Sequence, residues 1–466
     1  MSSSSPSLLS RRSTSELELP VPPEFRCPIS LELMRDPVVG PTGITYDRAG
    51  IEAWLLAAGA GKTAAASSTC PVTKGDLRAD DLVPNHALRR VIQAWCVANR
   101  CRGVERIPTP RVPVTPAQAG EVLGEVEAAA RAGDAARCVA AVREVGRLAR
   151  ESDRDRRCLA SAGAARALAA AVASFAAASD SASASASASA SSVLLDDVLA
   201  ALVLVMPLDE EAIVAIGSSA ASVALLANVA KHGDLQRRLQ AVVVIREIVA
   251  LSSCCSRNGA AATAIDLSDN LDGIIEVLVS TIRDPISPQA TKASLVAAYH
   301  LALADDRAAA RLAEAGLVPS LVELLIDGDR STAEKALAAL DATLASEAGR
   351  ARARADALAV PVLVKKMFRV SDTATELVVS ALHRICKKWH DGDDDEVGSP
   401  AARRSAVVEA VQVGAFQKVM MLLQVGCRDA TKEKATELLK LMIKYETRGG
   451  GDCIDAMDFR GLKRVS

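Results

Sequence analysis

Aromatic residues are scarce in this sequence, at 2% of 466 residues, although half of all residues are hydrophobic. A core of that composition has to be built from small aliphatic side chains. A chain of this length exceeds the size of one ordinary core, so we expect two or more domains. Four of the eleven aromatic residues lie within 21–101, which predicts that this stretch is a separate small domain.

A strong net charge and long apolar runs are also missing. The formal net charge is −2, so no basic field points to nucleic acid or to an anionic membrane. The most apolar tract, 198–208, is far shorter than the roughly 20 residues that a bilayer span needs, and residues 1–20 lack the apolar run of a signal peptide. We therefore expect a soluble intracellular protein, cytoplasmic or nuclear or both, that binds no nucleic acid and is not an integral membrane protein.

Cysteine pairs at the C-x2-C spacing, which structural zinc sites usually contain, are absent as well. Cys27 and Cys70 are isolated in the sequence, and Cys96 and Cys101 have no second pair to complete a set of four ligands. We interpret these thiols as buried small hydrophobic groups and expect no metal and no cofactor. A catalytic cysteine would need an activating histidine or a helix N-terminus, and the local sequence provides neither. We accordingly predict no catalytic residue.

The segment 25–101 nevertheless has a clear local pattern. Val38-Val39 and Ile44-Thr45-Tyr46 flank the turn sequence Gly40-Pro-Thr-Gly43, which predicts a β-hairpin. Two loops, 25–33 and 69–77, each contain a Cys-Pro corner and carry apolar residues suited to a protein partner. Two helices capped by Asp47 and Asn85 are predicted, with apolar faces formed by Ile51, Trp54 and Leu55 and by Leu88, Val91, Ile92 and Trp95.

The rest of the chain is a repeating helical pattern. Thr291, Thr332 and Thr373 each open an amphipathic helix and lie 41 residues apart, and a fourth such helix opens at Thr431. A shorter helix, started by a glycine that would let the chain turn tightly, precedes these helices. A period of about 41 residues built from helix, turn and helix is typical of armadillo and HEAT repeats, whose units stack into a superhelix. A generic helical bundle is the alternative.

Two resemblances to known families follow from these residues. The repeats resemble armadillo repeats, clearly from Gly273 to Tyr445 and more weakly over 120–251. The small domain resembles the U-box of ubiquitin ligases in six ordered segments, which are Phe25–Met34, Asp36–Val38, Gly43–Arg48, Ile51–Leu55, Cys70–Thr73 and Leu82–Asn85. Taken together, the chain resembles the plant U-box/armadillo-repeat ubiquitin-protein ligases.

The resemblance implies a mainly α fold with a particular order of domains. A small α+β U-box, similar to a RING domain without zinc, would precede an armadillo-repeat α-solenoid. The organisation that we predict is a disordered N-terminus at 1–20, the U-box at 21–101, a proline-rich linker at 102–117, the solenoid at 118–446 with a low-complexity loop at 176–192, and a C-terminal tail at 447–466.

The resemblance also implies a function. Such a ligase binds a ubiquitin-conjugating enzyme that carries ubiquitin as a thioester, and it promotes transfer to a substrate lysine by proximity, without a covalent ubiquitin intermediate of its own. The armadillo repeats would bind the protein substrate, and the process would be defence or stress signalling. An armadillo scaffold with an inactive U-box is the alternative function.

Individual residues can be carried over from the family by position. The conjugating enzyme would contact Ile29, Leu31, Trp54, Pro71 and Lys74. The polar side chains that replace zinc would come from Glu32, Asp36, Asp47, Arg48 and Asn85. This chain departs from the family in its long Ala/Gly/Ser-rich stretch 57–68, which would weaken activity if it displaced Pro71.

Overall fold

The computed structural model describes residues 21–59, 68–78, 81–107, 113–181, 188–258, 265–387 and 400–449. The predicted N-terminal segment 1–20, most of the stretch 57–68 and most of the tail 447–466 therefore lie outside the described residues. The chain divides into two compact units, 1–112 and 113–466. The expected fold class is confirmed, because the first unit mixes short strands with two helices and the second consists of helices.

The first unit is built on a small antiparallel sheet. Strand β1 (Pro37–Val39) lies between β2 (Thr45–Asp47) and β5 (Val83–Pro84), with Val38 opposite Tyr46. The predicted hairpin turn is confirmed, since Gly43 adopts a φ of 78° and donates its N–H to the Gly40 carbonyl at 2.9 Å. A second pair, β3 (Ser68–Thr69) and β4 (Asp76–Leu77), is also antiparallel.

Two helices cover this sheet, α1 (Arg48–Gly59) and α2 (His86–Ala98). The predicted cap of α2 is confirmed, because the Asn85 side chain accepts the Leu88 N–H at 3.0 Å. Val91 of α2 is 54% exposed and Trp54 of α1 is 37% exposed, so each apolar face reaches the surface beyond the buried residues Ile92 and Ile51. The core of this unit consists of Phe25, Cys27, Met34, Val38, Tyr46, Ile51, Cys70, Leu77, Leu82, Ile92, Cys96 and Ile107.

The second unit begins with the helix pair α3 and α4 and continues in groups of helices. The bounds are α3 Pro116–Ala132, α4 Ala135–Glu151, α5 Asp153–Ser161, α6 Ala164–Ser181, α7 Ala188–Leu204, α8 Glu210–Gly217, α9 Ala220–His232, α10 Leu235–Asn258, α11 Leu271–Arg283, α12 Pro288–Ala304, α13 Asp306–Glu314, α14 Leu317–Asp327, α15 Arg330–Thr343, α16 Glu347–Ala355, α17 Ala359–Lys366, α18 Asp372–Cys386, α19 Pro400–Gln412, α20 Ala415–Val425 and α21 Asp429–Gly449.

The repeating unit has three helices, and the two-helix unit predicted from the sequence is wrong. Helices α13, α14 and α15 form one repeat, and α16, α17 and α18 form the next. The first helix, which was not predicted, has nine residues in α13 and buries Ala308, Ala309, Leu312 and Ala313. The last helices of successive groups pack in the order α4, α7, α10, α12, α15, α18, α21. We call this series the helix ladder.

The helices expected to open at Thr291, Thr332, Thr373 and Thr431 exist, but each begins one to three residues earlier. Asp329 and Ser371 cap α15 and α18, each accepting the N–H of the third helical residue. Gly316 and Gly414 precede α14 and α20 with φ values of 92° and 83°, a conformation that glycine adopts without steric cost. Gly273 is different, because it lies inside α11.

The low-complexity tract predicted as a loop at 176–192 is helical over 176–181 and 188–192. Alanine has the highest intrinsic helix propensity, and it alternates with serine here, so the tract extends α6 and α7 without needing a hydrophobic face. Within the described part of the chain, no single helix is long and apolar enough to cross a membrane. Three bent pairs of neighbouring helices reach the required length and apolar composition only when the two helices of each pair are taken together.

Buried arginines join helix α16 to the ends of α15 and α18. Arg350 and Arg354 of α16 have side chains that are 3% and 2% exposed, and both pair with Glu347. Arg350 donates to the Leu344 carbonyl at 3.1 Å, and Arg354 donates to the Ile385 carbonyl at 3.0 Å. These carbonyls end α15 and α18, where no intrahelical donor remains, so the arginines satisfy helix ends that would otherwise be buried without partners.

Candidate functional site

The first Cys-Pro loop of the small unit is held around a buried sulfur. The Cys27 N–H donates to the Glu32 carbonyl at 2.9 Å, and the Leu31 N–H donates to the Cys27 carbonyl at 2.8 Å. The Cys27 side chain is fully buried, and its Sγ accepts the N–H of Asp47 at 3.3 Å. The loop is therefore closed by its own backbone and fastened to the end of β2.

The second Cys-Pro loop repeats this hydrogen-bond pattern residue for residue. The Cys70 N–H donates to the Gly75 carbonyl at 2.7 Å, and the Lys74 N–H donates to the Cys70 carbonyl at 2.9 Å. Cys70 is also fully buried. The sequence identified both Cys-Pro corners, and the structure shows that they are two copies of one turn.

Each loop carries a non-glycine residue in the left-handed region at its fifth position. Leu31 has a φ of 59° and Lys74 a φ of 62°. This conformation costs a residue with a Cβ about 1 kcal/mol, and the two closing hydrogen bonds of each loop hold it in place. Neither leucine nor lysine signals such a conformation in a sequence, so this feature was not predictable.

The Cys70 sulfur is the acceptor for several groups. The Thr73 N–H lies 3.4 Å from Sγ, and the Tyr46 hydroxyl lies 2.9 Å from it. Burial would raise the pKa of the Cys70 thiol, but hydrogen bonds from Thr73 and Tyr46 outweigh it and lower that pKa to about 6. Burial raises the pKa of Tyr46 above its ordinary value. Tyr46 therefore remains protonated and donates its O–H to the Cys70 thiolate.

This thiolate predicts a pH dependence of stability. Between pH 6 and pH 9 the folded state holds a thiolate at Cys70 while the unfolded chain holds a thiol, so the unfolded state binds more protons. The free energy of unfolding of the small unit is expected to rise with pH over this interval, and to lose that contribution as the pH falls to 6.

A denaturation series tests this directly. Pulsed hydrogen exchange in urea at pH 6, 7.5 and 9 reports on 21–107 separately from the helical unit. In Cys70→Ser the free energy of unfolding should rise less between pH 6 and pH 9, because a serine hydroxyl does not titrate in this interval. An equal slope in the wild type and in Cys70→Ser would show that the thiol stays protonated.

Helix α1 brings the two loops together. A Cβ on Gly50 would lie 3.5 Å from Cys27 Sγ and 3.9 Å from Ile29 Cβ, so the first loop packs against the first turn of α1. One turn further on, the Trp54 indole N–H donates to the Thr69 carbonyl at 3.0 Å, immediately before the second loop. The outer face of α1 is thus bounded by both loops.

The five predicted contact residues divide by exposure. Leu31 is 71% exposed, Trp54 is 37% exposed, and Lys74 is exposed. Pro71 is half-buried. Ile29 is also half-buried and packs against the core of the unit. Val72, which is 51% exposed in the second loop, was not predicted.

Polar side chains connect the strands and the two helices on which the loops are mounted. The Asp36 carboxylate bonds Arg48 Nε at 2.7 Å and also pairs with Arg89, so it joins β1 to both helices. Asp47 Oδ1 accepts the N–H groups of Arg35 and Asp36, each at 2.8 Å. Burial raises the Asp47 pKa in spite of these bonds.

The predicted polar set is therefore partly wrong. Glu32 is exposed and closes the first loop through its main chain. Arg89 was missed, although a signal for it existed: it precedes Ile92 by three residues and Cys96 by seven, so it lies on the buried stripe of α2. A charge at such a position usually has a buried partner.

The described side chains offer no cluster of metal ligands. Among the residues described, no group of three or more His, Cys, Asp or Glu side chains is placed to hold a metal ion. The positions around Cys27 and Cys70 are occupied instead by backbone and hydroxyl hydrogen-bond donors.

The helix ladder of the second unit is the other candidate surface. Ion pairs cross between its neighbouring helices, as from Arg143 to Asp197 at 2.8 Å and from Arg384 to Asp341 at 3.0 Å. His383 of α18 is buried with its Nε2 2.7 Å from Glu437 of α21. These contacts join neighbouring helices of the ladder.

Comparison with known proteins agrees with both halves of this description. The U-box domain family matches residues 21–101, and the family described as the plant U-box protein ARM repeat region matches residues 121–463. U-box domain-containing protein 21 of Arabidopsis thaliana is 36% identical over 450 residues, covering 96% of this chain and 94% of that protein.

Two further relatives from Arabidopsis thaliana are similar over most of their length. U-box domain-containing protein 20 is 35% identical and covers 93% of this chain and 89% of its own. The E3 ubiquitin-protein ligase PUB23 is 33% identical and covers 91% of this chain and 93% of its own. Because the match includes the small unit and the helical repeats in the same order, the chain belongs to the plant U-box/armadillo-repeat protein family.

Proposed function

We propose that this protein is a ubiquitin-protein ligase whose U-box binds a ubiquitin-conjugating enzyme. The observation that carries the proposal is the pair of equivalent loops on either side of α1, which present Leu31 and Pro71 beside Trp54. Apolar groups held on rigid turns suit a protein interface, because little conformational entropy is lost on binding. The similarity to relatives named E3 ubiquitin-protein ligases supports the same conclusion.

The reaction takes place on the conjugating enzyme. The amine of a substrate lysine attacks the thioester carbonyl, a C–N bond forms, the C–S bond breaks, and the thiol leaves with the proton that the amine loses. The U-box contributes by holding the charged enzyme near the substrate and in a reactive orientation. Cys27, Cys70 and Cys96 are fully buried, so among the described cysteines of the first unit only the exposed Cys101 could carry ubiquitin, and we propose that it does not.

Lys74 is proposed to contact the donor ubiquitin carried by the conjugating enzyme. It is exposed and follows Pro71 and Val72 in the second loop. Its left-handed backbone is fixed by the bond from its N–H to the Cys70 carbonyl, so the direction of the side chain is set by the loop. A lysine offers a point charge and lacks the two-pronged geometry of arginine.

The armadillo repeats are proposed to bind the protein substrate on the exposed side of the helix ladder. The inter-helix ion pairs support this, because they make the ladder a preformed surface. Cytoplasmic or nuclear localisation and a role in defence or stress signalling are proposed by analogy with the family.

An in vitro assay tests the central proposal. The full chain is incubated with activating enzyme, ATP, ubiquitin and a panel of conjugating enzymes one at a time, and self-ubiquitination is measured. We expect activity with some of these enzymes and none when the conjugating enzyme is omitted. Cys101→Ser, which removes an exposed thiol of the first unit, should keep full activity. A folded chain inactive with every enzyme of the panel would favour the scaffold alternative.

A further inference from the structure

Two consecutive residues of β2 form hydrogen bonds to the two Cys-Pro loops. The Tyr46 hydroxyl bonds Cys70 Sγ of the second loop at 2.9 Å, and the Asp47 main-chain N–H bonds Cys27 Sγ of the first loop at 3.3 Å. The side chain of Tyr46 is fully buried and is the largest of the fully buried side chains. The sequence assigned Tyr46 only to a strand of the hairpin.

We propose that Tyr46 is a positioning residue for the conjugating-enzyme site, and that its hydroxyl sets the second loop through the Cys70 sulfur. This inference rests on the proposed function only for what the loop binds. Control of the second loop by the Tyr46 hydroxyl does not depend on that function.

The position of the hydroxyl is itself fixed by the sheet. Tyr46 is paired with Val38 of β1, which is fully buried and is also paired with Pro84 of β5. The sulfur that the hydroxyl contacts also accepts the Thr73 N–H at 3.4 Å. A displacement of that sulfur would therefore be transmitted to the backbone between Pro71 and Lys74.

A phenylalanine would fill the same core volume but would leave the sulfur with one donor fewer. The hydroxyl and the sulfur are both buried, so water could replace the lost bond only by entering the core. A purely space-filling role predicts that Tyr46→Phe is silent. A positioning role predicts a local change in the second loop.

The test is Tyr46→Phe in the full chain, with amide hydrogen exchange as the first readout. The exchange of the Thr73 and Lys74 amides is expected to become about tenfold faster, while the Cys27 and Leu31 amides of the first loop keep their wild-type protection. The affinity for a ubiquitin-charged conjugating enzyme should fall by about three- to tenfold. Tyr299→Phe, which removes a tyrosine hydroxyl from α12, is the matched control and should change neither readout.

A double-mutant cycle shows whether Tyr46 acts through Cys70. If it does, Tyr46→Phe should have little further effect on the Thr73 and Lys74 amides once Cys70→Ser is present. Additive effects, equal loss of protection in both loops, or unchanged exchange in Tyr46→Phe would each overturn the proposal. If the wild type transfers no ubiquitin but the exchange result holds, the proposed function fails and the positioning role of Tyr46 remains.

Discussion

Leu31→Asn is expected to lower the affinity for the conjugating enzyme by about ten- to hundredfold while leaving the stability of the small unit unchanged. Leu31 is 71% exposed, so truncation opens no cavity. Asparagine is among the residues that best tolerate the left-handed backbone found at this position. Loss of an apolar anchor from an interface typically costs about 1–3 kcal/mol, which corresponds to the stated loss in affinity.

Three variants make this prediction specific. Leu31→Met keeps an apolar side chain of similar volume on the same backbone and should retain binding. Val97→Asn replaces another exposed apolar residue, 60% exposed on α2 and outside both loops, and should bind normally. Ile29→Ala is less suitable, because Ile29 packs on the core and its loss would also affect folding. Isothermal titration with the conjugating enzyme and thermal unfolding separate the two effects, and normal binding by Leu31→Asn would remove Leu31 from the interface.

Asp36→Ala is expected to destabilise the small unit by about 2–4 kcal/mol and to abolish ligase activity. The Asp36 carboxylate is the shared partner of Arg48 in α1 and Arg89 in α2, whose side chains are 17% and 12% exposed. Removal of the carboxylate leaves the largely buried guanidinium of Arg89 without its counter-charge, and leaves Arg48 with only the longer contact to Glu52 at 3.8 Å. Small domains are stable by only about 5–15 kcal/mol, so this loss is a large fraction of the total.

Urea unfolding with pulsed hydrogen exchange measures this loss in each unit of the full chain. The helical unit should be unaffected, because the carboxylate pairs are all within the first unit. Asp76→Ala, at an exposed position of β4, is the matched control and should be close to wild type. Asp36→Asn keeps an acceptor oxygen without the charge, and its free energy of unfolding should lie between those of Asp36→Ala and Asp76→Ala. A change below 1 kcal/mol in Asp36→Ala would mean that the two arginines are satisfied by solvent.

Local features of this protein were determined by its sequence. The turn between β1 and β2 follows from its glycines, and the start of α2 follows from Asn85, because a turn or a cap depends on residues a few positions apart. The starts of the ladder helices were predictable for the same reason, since a polar cap precedes each regular apolar stripe. The inward direction of Cys27 and Cys70 was also expected from their lack of zinc-binding partners.

Features that depend on residues distant in the chain were decided only by the tertiary structure. The first helix of each repeat is short, and in α16 the side chains of Arg350 and Arg354 bond the carbonyls at the ends of other helices. The left-handed backbone of the exposed Leu31 lies within a loop closed by two hydrogen bonds, and no residue type there indicates that conformation. Hydrogen bonds from β2 hold the buried sulfurs of both Cys-Pro loops. Each sulfur and its hydrogen-bond partner lie on separate elements of the fold, so their contact leaves no periodic pattern in the sequence.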